Sequence, residues 1–266
     1  MNKRCFTFLL TGILINVSIF GQFMPGDIGF QSKEFEIFKK NKVKTQTQFM
    51  MDEDSVTTRV SVSEFTENGW LFRNTFDNGE RGYEEETIDT MKDEYTYFPD
   101  GRIRIITMYG YDLYPMTYGF EYDKKNKLNA AIFASAEARE YSYAYDKSGN
   151  IIKRIGKSAR FEVDAEGNFL DKMVMVETDY STYTWDAKNR LAEESFNMNE
   201  EFYNKMFYAY NDKDQLIEMR VYYGTATDAI PAFSTKYYYL DNGLPKNTIT
   251  VEDGFRVEYY FEYGFY

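Results

Sequence analysis

The chain has 266 residues, 31 of them basic and 43 acidic, for a net charge of −12. It contains no histidine and a single cysteine, Cys5, while aromatic side chains make up 19 % of it. These numbers exclude Ser–His–Asp triads, His-ligated zinc and an intramolecular disulfide. The acidic balance also argues against nucleic acid and anionic membrane surfaces as partners, because both reward a basic footprint.

Lys3 and Arg4 precede an uncharged 15-residue run, Phe6 to Phe20, the size of a signal-peptide core. Gly21 is small enough to precede a cleavage site, so residues 1–21 read as a signal peptide and 22–266 as a single domain. A retained anchor needs about 20 apolar residues. Thr7, Thr11, Gly12, Asn16 and Ser18 dilute this run, and Pro25-Gly26 follow it closely. Cys5 lies before the run, where it cannot take a lipid anchor at the cleavage site. The expected mature chain is exported to the periplasm or beyond, spans no membrane, has no cysteine and carries −14, since the leader removes two bases and no acid.

Ser32 to Lys40 reads as a short helix with Ser32 as N-cap, Phe35 and Phe38 three apart, and Asn41 at its end. From Val43 the period changes to two. Val43, Thr45, Thr47 and Phe49 alternate, and Phe255, Val257, Tyr259, Phe261 and Tyr263 alternate with Arg256, Glu258, Tyr260 and Glu262. Such alternation predicts strands with one buried and one wet face.

Between these ends one unit recurs: an aromatic strand, an acidic turn and a hydrophobic strand. Its turns open at Asp123, Asp146, Asp164, Asp186 and Asn211, spaced 23, 18, 22 and 25 residues apart. Shorter relatives are Asp77-Asn-Gly79, Pro99-Asp-Gly101, Asp241-Asn-Gly243 and Glu252-Asp-Gly254. Asp or Asn opening a turn accepts hydrogen bonds from the backbone just ahead, and Gly or Asn three residues on tolerates positive φ. Tyr141, Tyr143 and Tyr145 fall on one face of their strand, with Ser142 and Ala144 on the other.

The clearest copy, Tyr143-Ala-Tyr-Asp-Lys-Ser-Gly-Asn-Ile-Ile152, resembles the YD repeat of the RHS family, and the resemblance covers roughly residues 95–245. It implies an exported scaffold of β-hairpins. Large members enclose a toxin and some are described as carbohydrate-binding. This chain is short and has no visible toxin domain, so only the scaffold, the exported setting and a binding role carry over.

Candidate sites are sparse. Trp70 and Trp185 offer flat faces on which a glycan ring can stack. Asp52-Glu-Asp54 and Asp212-Lys-Asp214 place acids two apart without completing a calcium loop. No nucleophile elbow, P-loop or dinucleotide glycine motif occurs. No catalytic, cofactor or metal residue is assigned. The expected fold is all-β: 12 to 16 antiparallel strands of about 6–9 residues in a curved, partly closed sheet lined with aromatics. The expected role is non-catalytic binding or scaffolding at the envelope, with polysaccharide or an envelope protein as partner. The alternatives are a carboxylate-dependent glycoside hydrolase and an outer-membrane β-barrel. Against the last, Lys153-Arg154 and Glu193-Glu194 put charge on both faces of their strands.

Overall fold

The computed structural model describes residues 32–51, 57–77, 91–110, 115–134, 138–163, 169–198, 202–224, 230–252 and 254–266. The proposed signal peptide, Asp164, the Asp52–Asp54 acids and Gly79 lie outside them. A helix, α1 (Ser32–Lys40), precedes sixteen strands. These are β1 (Val43–Met51), β2 (Thr57–Phe65), β3 (Leu71–Phe76), β4 (Lys92–Tyr97), β5 (Ile103–Tyr109), β6 (Met116–Tyr122), β7 (Leu128–Ala134) and β8 (Arg139–Tyr145). They continue as β9 (Ile151–Val163), β10 (Phe169–Trp185), β11 (Leu191–Met198), β12 (Phe202–Tyr210), β13 (Leu216–Tyr223), β14 (Phe233–Tyr239), β15 (Pro245–Glu252) and β16 (Phe255–Phe265).

Each strand pairs antiparallel with the one before it, and β1 pairs with β16, with Gln46 opposite Tyr263 and Gln48 opposite Phe261. The sheet is therefore a closed barrel rather than the partly closed sheet expected. Sixteen strands at about 4.8 Å make a sheet some 75 Å wide, which twist curls on itself. Pairing its two ends removes the open edges that invite association.

The alternation sets the two faces. Tyr141, Ser181, Tyr183, Thr235, Tyr237 and Tyr259 point inward and are buried. Lys153 and Glu193 point outward, whereas their neighbours Arg154 and Glu194 are buried inside. A round barrel of sixteen strands is wide enough for an aqueous channel. Here the inward wall is covered, for Ala131, Ser181 and Thr235 are all 0 % exposed.

The interior is layered. Seven tight turns, beginning with β2–β3 and ending with β14–β15, lie on one rim, termed the turn rim. Next to it Val43, Phe65, Leu71, Ile103, Leu128 and Leu244 form the main apolar core. Helix α1 docks on this rim, with Phe38 stacked on Phe65 at 4.6 Å between ring centroids. The Asn41 side-chain amide donates to the carbonyls of Ile37 and Asn242. The left-handed residue that turns the chain out of α1 is Lys42 (φ 53°), one position after the expected Asn41.

Further along the axis the inward face, expected to be lined with aromatics, turns polar. Ser61 donates to Gln48, Ser63 to Asn74, and the Thr235 and Thr250 hydroxyls lie 2.9 Å apart. At the opposite, far rim β9 and β10 outrun their neighbours. Their mutual pairing reaches Val163 opposite Phe169, while pairing with β8 ends at Arg139–Ser158 and with β11 at Asp179–Met198. The hairpin projects as a two-stranded ribbon.

Candidate functional site

At the turn rim two devices recur, a cap and a latch. The Asp123 carboxylate accepts from the backbone N–H groups of Lys125 and Lys127 at 2.8 and 2.9 Å. Asp186 does the same for Lys188 and Arg190, Asn211 for Lys213 and Gln215, and Asp146 accepts from Asn150. Three residues on, Asn126, Gly149, Asn189 and Asp214 have positive φ. Backbone N–H donors hold the carboxyls of Asp123, Asp146 and Asp186 below the usual range. The sequence reading groups Asp164 with these turns. Asp164 lies outside the described residues.

An aromatic at or near the end of a strand that runs to this rim is the latch. Tyr97, Tyr122, Tyr145, Tyr239 and Tyr263 donate their hydroxyls to the carbonyls of Leu71, Ile103, Leu128, Leu216 and Pro245. In every case the acceptor opens a strand of the preceding hairpin. Trp185 fills the same role with its indole N–H, 2.8 Å from the Ile151 carbonyl. Trp70 packs against Tyr97, with ring centroids 5.2 Å apart, and over Gly101, where an added Cβ would lie 2.8 Å from its ring. The two tryptophans thus belong to different hairpins, β2–β3 and the end of β10, and are half-buried in rim contacts. The structure does not bring them together as one platform. Asp214 of the acidic pair accepts from Arg190 at 2.8 Å and lies 3.4 Å from the Lys188 ammonium.

Sequence reasoning missed a second constellation inside the wall. Arg154, on β9, donates to the Ser181 hydroxyl at 3.1 Å and lies 3.6 Å from Asp179. Its guanidinium sits over the rings of Tyr141 and Phe196 at 5.3 and 5.7 Å. Burial acts against the charge of Arg154, but neighbouring acidic groups, Glu194 and Asp179 among them, outweigh it and raise its pKa. Glu194, on β11, accepts from the Tyr208 hydroxyl at 3.4 Å. Burial pushes its carboxyl above the usual range, and Arg154 only partly offsets this. Gly156 makes room for Asp179, because a Cβ there would lie 2.4–2.6 Å from the carboxylate. The one sequence signal for this cluster is charge at inward positions of an alternating strand.

Between this cluster and the far rim lies a cleft of about 250 Å³, lined by Arg139, Ser158, Ala159, Arg160, Thr178, Asp179 and Met198. Arg139 and Arg160 are exposed at its mouth and Asp179 is buried at its inner side. The arrangement offers two cations, a carboxylate acceptor, two hydroxyls and an apolar edge from Ala159 and Met198.

The outward face carries ion pairs around the barrel. Arg73 bridges Glu64 and Glu94, Lys92 also meets Glu94, Lys205 meets Glu193, and Arg256 meets Glu258.

The chain matches no family model and no curated protein. Among solved structures it is similar to a porin-like protein from Bacteroides uniformis, at 8 % identity over 84 % of this chain and 98 % of that one, with a TM-score of 0.49. It is also similar to a β-barrel-like protein of a domain of unknown function from Brucella abortus, at 10 % identity over 84 % of this chain and 99 % of that one, with a TM-score of 0.24.

Proposed function

We propose that the protein is an exported, non-catalytic barrel of the cell envelope that faces water on its outside and binds a small ligand or a glycan end at the far-rim cleft. The observation that carries this reading is the distribution of charge. A barrel that spans a bilayer presents an apolar band to lipid, and an Arg or Lys at mid-height costs about 2–4 kcal/mol. Here Arg73, Lys92 and Lys205 lie on the outward face in ion pairs. Strands β3 to β8 have six or seven residues, short of the roughly 9–11 that a span requires. The covered inner wall argues for binding over conduction.

A second reading, an outer-membrane barrel, is favoured by the closure itself, an even number of antiparallel strands with no free edge. Fractionation of native cells separates the two. Recovery of the full-length gene product in the soluble envelope fraction supports the first reading. Recovery in the membrane pellet after a high-salt wash, with release only by detergent, overturns it. In the soluble case, affinity capture from envelope polysaccharide tests binding directly.

A further inference from the structure

We infer that the far-rim cleft is a site for a small hydroxylated carboxylate of the size of one acidic sugar ring. The inference rests on the binding reading above and adds the ligand's charge and size.

Charge comes first. The chain as a whole is strongly acidic, yet this cleft is lined by two arginines and one carboxylate. The register explains the concentration. Arg139 on β8 stands opposite Ser158 on β9, and Arg160 lies two residues beyond Ser158 on the same face. Both guanidiniums therefore reach the cleft from one side of the wall. Among the described residues Arg160 has no ion-pair partner, although Glu162 on the same face pairs with Lys172. A guanidinium is a planar fork of donors suited to a carboxylate.

The remaining lining gives the second half of the specificity. Asp179 is nine-tenths buried and held by Arg154 at 3.6 Å, with Thr178 donating to its other oxygen at 3.2 Å. A fixed carboxylate of this kind accepts from ligand hydroxyls and repels a second anionic group placed against it. The ligand is thereby oriented, with its acid toward Arg139 and Arg160 and its hydroxyls toward Asp179 and Ser158. Ala159 and Met198 form an apolar edge for the C–H face of a ring. A volume of about 250 Å³, below the roughly 300–1,000 Å³ of drug-sized sites, matches an occupant of about one ring.

The test titrates the mature protein with D-galacturonate, D-galactose and acetate, followed by NMR or calorimetry, alongside the Arg160→Gln and Arg139→Gln variants. Both arginines are exposed, and circular dichroism checks that each variant folds. The expected result is saturable binding of galacturonate, about tenfold or more weaker in either variant, with galactose and acetate both markedly weaker. Galactose binding as well as galacturonate, unaffected by Arg160→Gln, would overturn the charge assignment while leaving a glycan-binding protein. Acetate binding as well as galacturonate would overturn the role of the hydroxyls. No binding of any probe by the folded protein would overturn the site. Capture of envelope polysaccharide by that same protein would show that the general reading survives it.

Discussion

Replacing Tyr145 with Phe isolates one latch, because it removes an oxygen and leaves the ring. The hydroxyl donates at 2.7 Å to the carbonyl of Leu128, a residue that is 5 % exposed. A net hydrogen bond of this kind contributes about 0.5–1.5 kcal/mol, and a buried carbonyl left without its donor raises the cost toward the upper end. For a domain of this size 1 kcal/mol corresponds to a fall in Tm of roughly 2–4 °C. The latches at Tyr97, Tyr145 and Tyr239 lie on non-adjacent hairpins, so their losses should add, to about 3 kcal/mol for the triple Phe variant. Thermal and urea denaturation of the purified mature chain measure this. The control is Tyr238→Phe, which changes an exposed tyrosine on the outward face of β14. If Tyr145→Phe lowers Tm no more than Tyr238→Phe does, the latch contributes nothing and the physical account of the repeat is wrong.

Three further outcomes follow from the same geometry. Phe65→Ala removes a fully buried ring that stacks on Phe38, and should cost about 3–5 kcal/mol in urea denaturation and expose α1 to proteolysis. Gly156→Ala forces a Cβ into the buried Asp179 carboxylate and should destabilise by about 1–3 kcal/mol, whereas Gly224→Ala, where a Cβ meets open space, tests the separate cost of a positive φ. The carboxyls of Asp123, Asp146 and Asp186 are depressed in the fold, so their contribution is full above the unfolded carboxylate value near 3.9 and is lost as pH falls through the lower folded values. The triple Asp→Asn variant keeps the turns, as Asn211 does natively, and its stability should fall less steeply with acid; an unchanged acid limb would show that other groups govern it.

Much of the turn rim was legible in the chain because its physics is local. An Asp that caps the N–H groups two and four residues ahead, and a Gly or Asn three residues on at positive φ, are properties of a short segment, so Asp123, Asp146, Asp186 and Asn211 could be picked out by spacing. Helix α1 was legible within its nine residues for the same reason. The period of two marked which side chains share a face, including the split between Lys153 and Arg154.

The amino-acid sequence by itself determined an all-β chain of hairpins with aromatic strands, capped turns and an acidic surface. What it left open is whatever depends on contacts between distant segments. Closure rests on β1 meeting β16, some two hundred residues away, and a period of two is identical in an open sheet and in a barrel. The latches reach from one hairpin to the previous one, so a strand-end tyrosine has no partner visible within its own turn. The Arg154–Asp179–Glu194 cluster exists only because three strands bring inward positions 15 to 40 residues apart into register, and the arginine-lined cleft needs a fourth strand, β8. Alternation dictates which face a side chain takes; only the tertiary structure decides what it finds there.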